Sequence, residues 1–272
     1  MSMPKKPDIS IIIVNYKVQK ELFKCIDSIY KTCTDISIEI IVVDNDEVKT
    51  LQSPLAKKFP KVIYVPSSKN VGWGSGINIG AKYAKGEYLY LLNPDTILLP
   101  HALELLFNFA KENTKLGIIA SRLVDFNNKP FYPLGSKELT PLSAMISYTF
   151  LEKIFPFSFF ASKFFEGVKK GDVTYMEVPP LAASLIKKKV FNAVGGFDKN
   201  IFLYFEEFDF GKRLKSKSYV SVIHDRSFVM HAVGASTKKR LDSNQFFKDS
   251  RKYYFTKYFG LTTSKILQIF FK

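Results

Sequence analysis

Cysteine is scarce in this chain: 272 residues carry two, Cys25 and Cys33, with no CxxC spacing and no neighbouring histidine. That excludes a disulfide framework and a thiolate zinc site, and it fits a reducing cytoplasm. Acidic residues are outnumbered, 25 against 40 Lys and Arg, for a formal charge of +15. A surface of that sign attracts nucleic acid, anionic lipid or phosphate-bearing ligands. Neither a zinc-finger spacing nor an RNP-like aromatic motif is present, and the basic residues are spread along the chain, so nucleic acid is not an expected partner. Long apolar runs are missing too, since nothing reaches the roughly 18 uncharged residues of a membrane span. The opening MSMPKKPD lacks an apolar h-region and a small-residue cleavage site, so no export is expected. The expected location is cytoplasmic, with the inner face of the cell membrane included.

The length suits one sizeable core. In the first half, short apolar runs alternate with helical patterns: ISIIIVNY, a helix near Lys20 to Cys33, IEIIVVDN, KVIYVP, a helix near Ile77 to Lys85, EYLYLLNPD, and a helix from about Pro100 to Asn113. Strands separated by helices predict a parallel α/β sheet of the doubly wound, nucleotide-binding type. Ligands of such sheets sit beyond the carboxyl ends of the strands. Asn15 with Tyr16, then Asp44, Asn45 and Asp46, then Asn93 and Asp95, close three of the runs and therefore share one rim. Asn and Asp also open turns and cap helices routinely.

Between Asn70 and Gly80, glycines at 72, 74, 76 and 80 precede and enter a helix. They permit close backbone approach to a phosphate at the helix N-terminus. The P-loop Lys-Ser/Thr is absent and no GxGxxG follows the first strand, which argues against a nicotinamide site.

In the second half, Glu206, Glu207 and Asp209 crowd three carboxylates into four residues between aromatics. Mutual repulsion raises a carboxyl pKa toward the range of a general base. The same acids, followed by Lys212, Arg213 and Lys215, also match a helix dipole. Leu139 to Phe165 and Tyr253 to Phe271 mix aromatic, aliphatic and basic residues. Interfacial helices do this, as do core helices with basic outer faces, so peripheral association with an anionic membrane is one of two readings.

Six segments, IIIVNY, IIVVDND, NVGWGSGINIG, YLYLLNPDT, GGFDKNIFLYFEEFDFGKRL and HAVGAS, occur in this order. They resemble the GT-A-type glycosyltransferases of family 2, especially bacterial rhamnosyltransferase-like members that build surface polysaccharides, over roughly residues 8 to 260. The resemblance implies an α/β, GT-A-type (Rossmann-like), mostly parallel sheet in a single catalytic domain over 1–272. Its nucleotide-sugar half covers about 8–125, its acceptor and catalytic half about 126–240, and a C-terminal helical segment about 241–272. It implies an inverting transfer from a nucleotide-diphospho-sugar donor (dTDP-rhamnose, UDP- or GDP-sugar) to a saccharide or lipid-linked acceptor, with Mg²⁺ or Mn²⁺.

Carried over residue by residue, the resemblance implies that Asn15, Tyr16 and Asp44 hold the nucleoside and that Asn70, Gly72 and Asn78 line the donor site; Asn45 and Asn93, at the same rim, are expected among the donor-binding residues. Asp95 would bind the metal; it supplies the one carboxylate of Asn93-Pro94-Asp95, where the family has an acidic triplet. His231 would complete the metal shell or contact the diphosphate. Glu207 would be the base, at a position that is commonly Asp, with Glu206 as the alternative. Phe197 and Asp198 would contact the acceptor. Apart from the resemblance, the basic stretch Lys238, Lys239 and Arg240, with Arg251 and Lys252 beyond, reads either as a lid closing over the diphosphate or as a solvated basic loop. The departures at Asn93 and Glu207 keep a catalytically silent sugar-nucleotide or membrane-surface binder as an alternative. A sugar nucleotidyltransferase is another, although its Gly-rich basic signature is absent from the N-terminus.

Overall fold

The computed structural model describes residues 6–131, 135–148, 167–232 and 243–271. Its first half alternates strands β1 (Ile9–Asn15), β2 (Ile38–Asp44), β3 (Ile63–Pro66) and β4 (Tyr88–Leu92) with helices α1 (Gln19–Thr32), α2 (Gln52–Lys58) and α3 (Trp73–Tyr83). These four strands are mutually parallel in the order β3-β2-β1-β4. Both β1 and β4 are buried along their whole length. Covered on both faces, they read as unbroken apolar runs rather than alternating ones. Helix α1 buries Leu22, Cys25, Ile26 and Ile29, the one-sided stripe of a helix lying on a sheet. Cys25 and Cys33 are free and buried, and burial pushes their thiols up to about 12 and about 11.

The rest of the chain extends the same sheet with mixed polarity. After β5 (Thr96–Leu98) and helix α4 (Ala102–Glu112) come β6 (Leu116–Val124), helix α5 (Pro141–Tyr148), and the hairpin of β7 (Val168–Lys170) and β8 (Val173–Tyr175). Strand β9 (Ala183–Lys187) then runs antiparallel between β4 and β6. Helices α6 (Lys188–Ala193) and α7 (Glu206–Ser216) precede the long strand β10 (Val220–His231), parallel to β6. The sheet has ten strands, nine of them in the order β3-β2-β1-β4-β9-β6-β10-β8-β7, with β5 pairing to the end of β10. The parallel reading holds for β1 to β4, whereas β9, β5 and the β7–β8 hairpin add antiparallel pairs.

One core cluster joins α1 and α4 to one face of the sheet, and a second joins α3, α6 and α7 to the other. On α3, a Cβ at Gly76 would meet Val14 Cγ1 at 2.8 Å, and one at Gly80 would meet Ile12 Cγ2 at 2.5 Å. These two glycines let the helix lie directly on β1, at a cost of roughly 0.5–1 kcal/mol each in helix propensity. A third cluster, around Leu139, Phe205, Tyr254, Phe255 and Leu267, docks the last helix, α8 (Ser243–Phe270). Gly260, at φ 84, breaks α8 into two pieces. Of the two aromatic segments, 253–271 is helical up to Phe270, and 149–166 lies outside the described residues.

Candidate active site

The carboxyl ends of β1, β2 and β4 open onto a cleft of about 580 Å³. Asn15 and Asp44 are register partners at the ends of adjacent strands. Asp44 is fully buried, and its carboxylate accepts from Asn15 Nδ2 at 2.9 Å, the Tyr64 hydroxyl at 2.8 Å and the Asp46 amide at 3.2 Å. Burial, and then this carboxylate, push the Tyr64 phenol up. Asn15 and Asp44 therefore lie beneath the lining, and the walls at this end are formed by Tyr16 and Asn45. Asn45 Nδ2 donates to the Gly72 carbonyl at 3.0 Å, while its Oδ1 is buried without a hydrogen-bond partner.

Asn70, Gly72 and Trp73 continue the lining. Gly72 sits at φ +85, and a Cβ there would overlap the Phe202 carbonyl oxygen, so only glycine fits. Of the four glycines read as phosphate-approach residues, only Gly72 borders the cleft. Asn78 corrects an expectation as well. It is not among the lining residues, and its side chain is bonded to the Phe197 backbone: Nδ2 donates to the carbonyl and Oδ1 accepts the amide, both at 2.8 Å.

The two residues expected at the acceptor are placed elsewhere. Phe197 is buried, packing against Phe210 at 4.6 Å and Trp73 at 5.1 Å between ring centroids. Asp198 accepts from the Tyr253 hydroxyl at 2.9 Å and Lys257 Nζ at 2.8 Å, tying its turn to α8. Burial works to raise the Asp198 carboxyl, but its bonds to Lys257, the Asn200 amide and Tyr253 outweigh it and hold it below the usual carboxylate range. Neither residue lines the cleft.

On the far wall, β5 pairs Thr96 with His231 at the end of β10, and the Ala232 amide donates to the Asp95 carbonyl at 3.0 Å. This brings His231 Nε2 to 3.2 Å from Asp95 Oδ1 and 3.4 Å from Asn93 Nδ2. Cis ligands of an octahedral cation with bonds of about 2.1 Å lie about 3 Å apart, so the Asp95–His231 pair fits two positions of such a shell. Among the described residues no group of three or more His, Cys, Asp or Glu is placed to hold a metal. The remaining ligands would come from substrate and water. Gly234, Ser236, Lys238, Lys239 and Arg240 lie outside the described residues. Arg251 is buried in α8, its guanidinium 4.0 Å from the Phe271 ring centroid, which removes it from the expected lid.

The third wall is the first turn of α7. Tyr204 and Phe205 precede it at φ 67 and 69, a left-handed conformation costing about 1–2 kcal/mol for each non-glycine residue. The aromatic packing of Phe205 against Phe247 and Tyr254 holds the turn in place. Its effect is to present both Glu206 and Glu207 to the cleft. Burial first, and the Glu207 charge second, push Glu206 up to about 8; burial also raises Glu207. Glu206 is 6% exposed, and its Oε1 has no hydrogen-bond partner.

Asp209 takes a different role. It is fully buried and bonded to Arg213 at 2.6 Å, Lys257 at 2.5 Å and the Tyr258 hydroxyl at 2.7 Å. The acidic run thus divides into two cleft carboxylates and one anchor. Among the cleft residues that sequence reasoning passed over are Trp73 and Tyr204. The available signal for the first was that the chain's only tryptophan falls inside its glycine-rich turn.

The architecture is that of the GT-A glycosyltransferases. A crystal structure of GalNAc-T7 with UDP, GalNAc and Mn²⁺ matches 83% of this chain with a TM-score of 0.62 at 15% identity, and the match spans 44% of that longer chain. The family model described as glycosyl transferase family 2 matches residues 10–173, and the chain belongs to that family. The N-acetylglucosaminyl-diphospho-decaprenol L-rhamnosyltransferase of Mycobacterium tuberculosis (strain ATCC 25618 / H37Rv) is 21% identical over 240 residues, covering 84% of this chain and 76% of that protein. The low-salt glycan biosynthesis hexosyltransferase Agl10 of Haloferax volcanii is 24% identical over 215 residues, covering 78% and 62%.

Proposed function

We propose that this family 2 glycosyltransferase catalyses an inverting transfer from a nucleotide-diphospho-sugar to a hydroxyl of a saccharide or lipid-linked acceptor, in the building of a surface polysaccharide. The observation that carries the reading is the placing of Glu206 and Glu207 in one cleft with the Asp95–His231 pair, above the carboxyl rim of a nucleotide-binding sheet. Tyr16, Asn45, Asn70 and Gly72 form the donor side. Asn15 and Asp44 support them from below. Asp95 and His231 would hold Mg²⁺ or Mn²⁺ beside the diphosphate, and the relevant neighbour was crystallised with Mn²⁺ and UDP. When bound, such an ion supplies positive charge against the departing diphosphate.

Glu207, the less buried of the two cleft acids, takes the proton of the acceptor hydroxyl. That oxygen bonds to the anomeric carbon as the bond from this carbon to the diphosphate oxygen breaks on the opposite face, so configuration inverts. Burial raises both carboxyls, Glu206 up to about 8, and the more exposed Glu207 is the one assigned as base. The Mycobacterium tuberculosis relative is named for a lipid-linked acceptor, and dTDP-rhamnose is the first donor to test. Exposed Leu261, Ile266, Ile269 and Phe270 at the end of α8, in a chain of charge +15, support peripheral docking at the inner face of an anionic membrane. No described helix is long and apolar enough to cross it.

The test is hydrolysis of a panel of UDP-, GDP- and dTDP-sugars with and without Mn²⁺. Mn²⁺-dependent cleavage of one donor is expected. Failure to bind any of them would overturn the reading, and binding without cleavage in the presence of a competent acceptor would favour a silent binder.

A further inference from the structure

Two of the cleft's side chains, from facing helices, each keep a buried polar atom without a partner. Trp73, the first residue of α3, lines the cleft, and its indole Nε1–H is buried without a hydrogen-bond partner. Glu206, the first residue of α7, lines the same cleft with its buried Oε1 equally unpartnered. The two first turns abut, since a Cβ on Gly74 would lie 3.5 Å from Glu206 Cγ and 3.0 Å from Phe197 Cβ. Phe197 in turn packs edge-on against the indole at 5.1 Å and fixes its plane. A buried donor and a buried acceptor left unpaired are costly, unless a ligand completes them.

We propose that Trp73 and Glu206 together read one hydroxyl of the donor sugar, which accepts from the indole N–H and donates to the Glu206 carboxyl oxygen. A hydroxyl accepts from one donor while donating to one acceptor, and a carboxyl keeps an acceptor oxygen in either protonation state. The neighbouring residue, Glu207, is the proposed base and must stand near the anomeric carbon. The group beside it therefore belongs to the sugar rather than the nucleoside. Sites built to pair a substrate hydroxyl reject analogues lacking it far more strongly than apolar pockets reject a missing methylene. The pair thus makes the enzyme selective for a donor bearing that hydroxyl over the matching deoxy-sugar. This role rests on the donor being a nucleotide sugar.

The experiment uses the best-cleaved donor of the panel, its deoxy-sugar counterpart and the corresponding free nucleoside diphosphate, each with Mn²⁺. Trp73→Phe, which keeps a ring and removes the N–H, should lower kcat/KM for donor hydrolysis by about 10- to 100-fold. Binding of the nucleoside diphosphate should stay within about twofold, which also shows that the variant is folded. The preference over the deoxy-sugar should collapse. Glu206→Leu should do the same, and the double variant should be no worse than the more affected single one, because both residues serve one hydroxyl. Equal loss of nucleoside diphosphate and nucleotide sugar, or unchanged selectivity, would overturn the assignment. A wild-type protein that binds no nucleoside diphosphate at all would remove the transferase reading and the pair with it, a result distinguishable from the other two.

Discussion

Lys257 on α8 reaches Asp209 on α7 at 2.5 Å and, with the same ammonium, Asp198 at 2.8 Å. One cation on the last helix thereby anchors both the helix that carries the cleft acids and the turn behind it. Deleting one partner of a buried ion pair leaves the other charge uncompensated. Because Arg213 and Tyr258 still serve Asp209, Lys257→Met should cost about 2 kcal/mol rather than the larger loss of an isolated pair. A urea unfolding midpoint checks this, and donor turnover should fall with it as α7 loses its anchor.

The Asp95–His231 pair makes a second prediction. Asp95→Ala removes the carboxylate that lies 3.2 Å from His231 Nε2. Donor cleavage should drop by about two orders of magnitude or more, with the Mn²⁺ requirement shifted to higher concentration. His231→Gln, which keeps a donor side chain, should give a smaller loss. A Mn²⁺ titration of turnover distinguishes the two variants.

The raised pKa of Glu206 has a signed consequence for stability. A carboxyl protonated in the folded state up to about 8, but ionised above about 4.3 when unfolded, binds an extra proton on folding between those values. Stability contributed by that proton is complete below the unfolded pKa and is lost as pH rises through the window to about 8. Glu206→Gln abolishes this decline. Thermal unfolding from pH 4 to 9 should show the variant gaining on the wild type as pH rises, with the gain flattening above pH 8.

Gly72 offers a test of backbone geometry. Its φ of +85 and the overlap of any Cβ with the Phe202 carbonyl should make Gly72→Ala more than about 2 kcal/mol destabilising. Val71→Ala, one position away at a half-buried site with an ordinary φ, should be far milder. Denaturant melts of the two give the contrast.

Much of this was legible in the sequence where burial left one pattern available. Strands β1, β2 and β4 carry apolar residues on both faces, and their terminal Asn and Asp residues mark the rim. That pattern placed Tyr16, Asn45, Asn93 and Asp95 at the rim, and the roles expected of them came from the family resemblance. The acids 206, 207 and 209 occupy a single helical turn, and the one local mark of the anchor is Arg213, four positions after Asp209. Its other partners, Lys257 and Tyr258, lie about 50 positions later. Asn78 and Gly80 share a motif with Gly72, yet α3 turns them toward Phe197 and β1. Strand β5 is three residues long, too short to carry a periodic signal, although it is the element that brings His231 to Asp95.

The insertion of β9 between β4 and β6 has a consequence for how such a molecule can be cut. The first half of the chain is not a detachable cassette: the seam through its middle is sewn shut by a strand made some sixty residues later. A fragment ending near residue 125 would present the hydrogen-bonding groups of β4 and β6 unmatched, as two raw borders prone to pairing with other chains. Shuffling at this boundary would therefore part β9 from the two strands it joins.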